Sequence, residues 1–173
     1  MTLIEIRGKR PVISIDCFVA DNATLAGDIQ LSEACSIWFD SSIRAEFEKV
    51  VIGSHSNVQD NCTIHTDEGF PCTIGEVVSI GHGAVVHGAA IGSNCLVGMG
   101  AILLNGSKVG SNSMVAAGSL LVQGAAFPEG SLILGSPAKA VRNLRDEEIE
   151  GIKVNARHYD EFRAEYLKAS KKI

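Results

Sequence analysis

Three of the five histidines in this 173-residue chain, His65, His82 and His87, lie close together in sequence. Imidazole nitrogens bind divalent metals at about 2.0–2.1 Å, and three histidines with an open fourth position form the arrangement of a catalytic zinc. Water on such an ion loses a proton near neutral pH and becomes a nucleophile. One histidine alone is more often an incidental polar residue than a ligand. These three carry weight through where the chain must place them. His55 and His158 are assigned instead to surface or helix contacts.

The elements that position them follow from a six-residue period. Aliphatic side chains recur as Ile13, Val19, Leu25, Leu31, Ile37 and Ile43, then Ile52, Val58 and Ile64, then Ile74, Ile80 and Val86. The series continues through Ile91, Val97, Leu103, Val109, Val115 and Leu121 to a closing turn at Phe127 and Ile133. Four positions after most of them stands a small residue, among them Cys17, Ala23, Cys35, Cys62, Ala84, Ala90 and Cys95. The double pattern resembles the hexapeptide repeat of left-handed parallel β-helices, in which three hexads make one triangular coil. A single coil cannot bury its apolar edge, whereas stacked coils share a continuous column.

Grouping the hexads in threes puts Ile64 and Val86 on one face, so His65 and His87 stack about 4.8 Å apart and converge on one ion. His82 follows Ile80 on the preceding face. About 16 Å of extended chain separates it from His87, too far to share an ion within one chain. A threefold ring of chains brings His82 of one copy to His65 and His87 of the next, which predicts a homotrimer with interfacial metal sites.

Composition sets the remaining bounds. Hydrophobic residues make up 46% and aromatics 5%, with 18 glycines, as a narrow repetitive interior requires. A net charge of −5 with no basic stripe argues against nucleic-acid binding. No apolar run approaches the ~18 residues of a membrane span, and positions 1–11 lack a signal-peptide core, so a cytoplasmic protein is expected. Five cysteines without CxxC spacing fit neither a disulfide framework nor a thiolate zinc site. Cys17, Cys35, Cys62 and Cys95 fall in the small-residue slot and are expected to be buried, while Cys72 is assigned to an inserted loop.

The spacing stretches between Ile43 and Ile52 and between Ile64 and Ile74, which predicts loops at coil corners, where function usually sits. An all-β helix over 1–138 and a C-terminal appendage over 139–173 are expected. In the latter, Asp146 is the predicted cap of an α-helix presenting Ile149, Ile152, Ala156, Tyr159, Phe162 and Tyr166 to the prism.

The segments SIRAE, SNVQDNCTIH and IGHGAVVHG, with SIW at 36–38, LVGMGA at 96–101, GSPAK at 135–139 and NARHY at 155–159, resemble those of gamma-class carbonic anhydrases and their bacterial relatives. The resemblance runs over nearly the whole chain. It implies reversible hydration of carbon dioxide to bicarbonate by a metal-bound hydroxide at a trimer interface. The metal would be Zn2+, with Fe2+ or Co2+ as alternatives, on His65, His82 and His87. By the same resemblance Gln59 would orient hydroxide or substrate. Arg44 and Asp60 would form an ion pair at or across the interface, and Tyr159 would approach the metal pocket. Asn57 would fix the loop or the interface.

Two departures stand out. Relatives carry Arg-x-Asp where this chain has Arg44-Ala45-Glu46, and the archaeal-type enzyme continues with a glutamate where this chain has Phe47. The long acidic loop of that enzyme is reduced here to Thr66–Thr73, leaving Glu68 as the candidate proton shuttle, or simply a solvated loop carboxylate. Two other readings compete. One is a hexapeptide-repeat acyltransferase, which needs a single general-base histidine. The other is a non-catalytic metal-binding trimer.

Overall fold

The computed structural model describes residues 1–170, and the last three positions of the expected appendage lie outside the described residues. The chain winds as a left-handed parallel β-helix of about seven turns followed by one helix, Asp146–Ser170. Two long strands, Thr24–Leu31 and Ser42–Ile52, run around a corner of the prism and join two of its faces into one 12-stranded sheet. The third face is an 8-stranded sheet holding Asn57–Val58, Ser79–Ile80 and Leu96–Val97.

The hexad aliphatics form the core. Leu25, Ile37, Ile43, Ile52, Ile64, Ile80, Leu103, Leu121 and Ile133 are all fully buried. Each contributes roughly 1.5–3 kcal/mol by leaving water, set against the entropy of ordering the chain. Coils stack in parallel register, with Ile64 on Ile43 and Val86 on Ile64.

Four sequence expectations are corrected. Cys72 is fully buried, like the other cysteines. The small-residue slot lies two positions before each aliphatic, so Cys72 occupies it ahead of Ile74 and the inserted residues end before it. For the same reason Ala89, ahead of Ile91, is buried in place of the expected Ala90. The insertion before Ile52 is no loop but a bulge in a continuous strand. Gly27 pairs with Ala45 and Ile29 with Val50, so residues 46–49 form the bulge opposite Asp28. Such a bulge re-aims side chains, here at a corner of the prism in a strand paired on both sides. Gly27 permits it: with φ 89°, its place has no room for a Cβ, which would lie 2.3 Å from the Ala45 carbonyl oxygen.

The fourth correction concerns the C-terminus. The appendage expected from residue 139 begins as a strand, Ala138–Asn143, which turns back antiparallel on Ser131–Gly135 and covers the end of the third sheet. Arg145, not Asp146, caps the helix. Its carbonyl accepts from the Glu148 N–H at 3.0 Å, and its own N–H donates to the Glu148 carboxylate at 2.8 Å. The second bond is the acid half of a capping box, with Glu148 at the third helical position, while the first is a backbone bond of the opening turn.

The helix lies against the third face through buried Ile152 and Ala156 and an aromatic seam. Trp38 meets Tyr159 at 5.6 Å and Tyr166 at 5.0 Å between ring centroids. Arg163 ties the helix to the first coil by donating to the Asp16 carbonyl at 2.6 Å. His55 reaches Asp160 of the helix at 2.6 Å, the contact expected of it.

Candidate metal centre

Register does the first part of the work. Strand Val85–His87 pairs with Thr63–His65, which pairs with Ser42–Ile52, so His87, His65 and Arg44 stand in one row across three coils. His65 Nδ1 and His87 Nε2 face each other at 3.0 Å. Two nitrogens bound to one tetrahedral ion at about 2.05 Å would lie ~3.3 Å apart, so the pair already has the spacing of two ligands.

The outward nitrogens decide what the facing ones can be. His65 Nε2 lies 3.1 Å from the Glu46 carboxylate, an acceptor, so this nitrogen carries the proton. His87 Nδ1 lies 2.6 Å from Asn105 Oδ1, and the Asn105 amide nitrogen donates to Asp67 at 3.0 Å. Asn105 therefore presents its oxygen to His87, and His87 carries its proton on Nδ1. In the neutral rings both facing nitrogens are lone pairs, an arrangement that a cation between them satisfies. Burial, reinforced by the Arg44 charge, lowers the pKa of His65 and favours that neutral form.

His82 sits elsewhere. It follows Ser79–Ile80 on the third face, and its Nδ1 lies 2.9 Å from the Asp60 carboxylate. Its Nε2 is left as the lone pair, with the Tyr159 hydroxyl at 3.5 Å, the outer limit of a hydrogen bond. Burial, with the Asp60 charge acting in the same direction, raises the Tyr159 pKa and keeps the phenol protonated. The His82 N–H donates to Gln59 Oε1 at 3.2 Å, and Gln59 Nε2 donates to Asn57 Oδ1 at 3.2 Å. Asn57 in turn donates to Ser79 at 2.8 Å. Gln59, His82, Met99, Asn155 and Tyr159 border a small cavity of about 180 Å³.

Among the described residues no single-chain cluster of three histidine, cysteine or carboxylate side chains could hold a metal. His65 and His87 stand on one face and His82 on another, the placement that the register argument predicts.

The structure thus brings His65 to His87 and gathers His82, Asp60, Gln59 and Tyr159 into a second group. It does not join Arg44 to Asp60 within the chain: Arg44 pairs with Glu46, and Asp60 with His82. Glu68 is exposed at the tip of its turn, and the loop carboxylate hydrogen-bonded toward the histidines is Asp67. Sequence reasoning missed Asp67 and Asn105 and saw Glu46 only as a departure. For Asn105 there was a signal, since Leu103 stacks on Val86 and so puts the residues after both at the same corner.

With this geometry in hand, the chain can be set beside known proteins. A family model for "Bacterial transferase hexapeptide (six repeats)" matches residues 88–123. The chain is 52% identical over 148 residues to the probable carbonic anhydrase of Methanocaldococcus jannaschii, covering 86% of this chain and 93% of that protein. It is 42% identical to a carbonic anhydrase of Geobacillus kaustophilus, covering 94% and 89%. It is 40% identical to mitochondrial gamma carbonic anhydrase 2 of Arabidopsis thaliana, covering 91% of this chain and 59% of the plant protein. The chain belongs to the gamma-class carbonic anhydrase family.

Solved structures of similar shape include a hexapeptide transferase family protein from Anaplasma phagocytophilum, with a TM-score of 0.92 and 34% identity over 95% of this chain and 98% of the other. A Bacillus cereus protein described as a putative acetyltransferase has a TM-score of 0.94 and 34% identity over 95% and 96%. Within the gamma-class family, the Glu46 departure has a structural expression here. The bulge at 46–49 turns the longer acid back onto His65, and it sets Phe47 edge-on to the same ring, 6.3 Å between centroids.

Proposed function

We propose that the chain is the subunit of a metal-dependent carbonic anhydrase that interconverts carbon dioxide and bicarbonate at sites completed between copies in a homotrimer. The observation that carries this reading is the preparation of the three histidines. Each has its outward nitrogen held by an oxygen acceptor, Glu46, Asn105 or Asp60, leaving the other nitrogen as a lone pair. The family relationship points to the same chemistry.

His65 and His87 of one copy, with His82 of the next, would hold the ion, with zinc as the proposed metal and iron(II) or cobalt(II) as alternatives. When bound, such an ion acidifies water near neutral pH and polarises an oxygen of the substrate. Glu46 and Asp60 would hold the proton on the far nitrogens of His65 and His82 and leave the binding nitrogens as lone pairs. Gln59 anchors the His82 backbone and keeps one amide proton to orient a bicarbonate oxygen. Tyr159 closes the cavity beside His82. Arg44, half-exposed on the histidine face, is available to Asp60 of a neighbour. Glu68, exposed at the tip of its turn, is the loop carboxylate placed to receive the released proton.

A second copy also has a surface to cover. Val85, Ile102 and Leu120 form an outward apolar column on the face that carries His65 and His87, and Met99 and Val122 are exposed nearby. Among the described residues no helix is long and apolar enough to cross a membrane. A cytoplasmic location is proposed.

Elemental analysis of protein purified without added metal, followed by stopped-flow hydration of carbon dioxide on the same sample, tests the reading. Metal at one per chain with metal-dependent hydration is expected. A folded protein that neither retains nor takes up zinc, iron(II) or cobalt(II) overturns it. Saturable coenzyme A binding without hydration would favour the acyltransferase reading instead.

A further inference from the structure

We infer that the turn inserted after His65 is a clip that sets the ring of His87, with Asp67 and Asn105 as positioning residues for metal binding. This rests on the metal reading above and adds to it two residues and a purpose for the insertion.

The turn is built to deliver one carboxylate. Asp67 and Phe70 exchange backbone hydrogen bonds of 3.3 and 2.9 Å around Glu68 and Gly69, the latter at φ 75°. The base of the turn is held on both sides. The buried Thr66 hydroxyl accepts from the Glu48 N–H at 3.3 Å, and Cys72 Sγ donates to the His65 carbonyl at 3.0 Å. The tip is held by Glu48, whose carboxylate accepts from the Gly69 N–H at 3.2 Å. Phe70 folds down over the coils below it. A Cβ at Gly88 would lie 2.7 Å from the Phe70 Cβ and 2.5 Å from Asn105 Oδ1, so glycine there is what lets turn and amide close together.

The result is an ordered relay of acceptors. The Glu68 N–H and the Asn105 amide both donate to the Asp67 carboxylate, at 2.9 and 3.0 Å. A carboxylate oxygen accepts, so it takes an N–H of Asn105 and fixes which end of that amide faces His87. The oxygen of Asn105 then takes the Nδ1 proton of His87 at 2.6 Å. Without Asp67 the amide can rotate by half a turn, offer an N–H to His87, and demand the opposite tautomer, which removes the lone pair from Nε2.

The test measures metal affinity of the assembled protein by competition between Zn2+ and a chromophoric chelator, together with histidine 15N chemical shifts of the metal-free protein. Asn105→Ala should weaken zinc binding by about 10–100-fold and give a mixed His87 tautomer. Asn105→Asp keeps the acceptor and should restore both readouts. Should Asn105→Ala fold poorly, Asp67→Ala at an exposed turn gives the same reading, with weaker binding and a mixed tautomer. Unchanged zinc affinity in these variants, or equal loss in Asn105→Ala and Asn105→Asp, overturns the inference while leaving the metal site standing. A parent protein that binds no zinc overturns the site itself.

Discussion

His65 Nδ1 and His87 Nε2 stand 3.0 Å apart on neighbouring coils, each ring pinned from behind by an oxygen acceptor. In the absence of a cation one ring must take up a second proton, or the two lone pairs oppose each other. Burial and the Arg44 charge resist that protonation at His65. In the proposed trimer this pair would supply two of the three ligands, and His82, which the same chain carries on a different face, would supply the third.

Complementation tests that division. His82→Ala and His65→Ala chains should each assemble and each lose bound metal. Mixed trimers should regain a single intact site apiece, where His65 and His87 of one parent meet His82 of the other. Elemental analysis of the separated mixed trimer reads this directly. Retention of full metal by either single variant would show that the ligands are assigned wrongly.

All five thiols should resist modification in the folded protein and become reactive together on unfolding, because every one is buried in the small-residue slot. Burial pushes the Cys62 and Cys95 thiols up to about 11, and Cys72 upward as well, so few thiolates exist there at neutral pH; the hydrogen bond with Cys35 shifts Cys17 downward, and its protection rests on burial alone. Thiol labelling with mass mapping checks this. Early labelling of Cys72 alone would mean that the turn at 66–71 opens independently of the coils.

Turnover is expected to be limited by proton export. Phe47 is half-exposed beside His65 and beneath the Arg7 guanidinium, and it cannot relay a proton. Positioned acid–base groups contribute about 10²–10⁴-fold where proton transfer limits rate. Phe47→Glu should recover part of this at low buffer concentration and matter less at high concentration, as stopped-flow hydration across a buffer series would reveal. Rates indifferent to both buffer and substitution would contradict the limitation.

The helix start should be acid-sensitive. Glu148 is held well below the usual carboxylate range, first by the Arg142 guanidinium and then by the Arg145 N–H. Its folded pKa is depressed, so its contribution is present above the unfolded value of about 4.3 and is lost as pH falls toward the folded value. Glu148→Gln should lower the thermal midpoint at neutral pH and flatten its decline in acid, with the two proteins converging at the lowest pH. A parallel acid decline in both would assign the effect to other carboxylates.

The period of six made the β-helix legible, because the hexad aliphatics have nowhere to go but a shared interior column. The stacking of His65 on His87 followed from counting hexads in threes, and the exclusion of His82 from that pair followed from chain length alone. The placement of Cys72 and Ala89 was misread because the slot was counted forward from one aliphatic. Packing fixes it backward from the next.

Spacing could mark the two insertions but not distinguish a bulged strand from a turn. The difference depends on hydrogen bonds to the neighbouring coil, where Gly27 yields to Ala45 on one side and Thr66 is held by Glu48 on the other. Composition and periodicity by themselves determined the coil, its register and the ligand candidates, since these depend only on which side chains must be buried together. Only the tertiary structure decided that Glu46, Asp60 and Asn105 hold the three rings. A hydrogen bond needs two atoms within about 3 Å at a fixed angle, and residues 18 to 22 apart in sequence meet that condition only after the coils have closed.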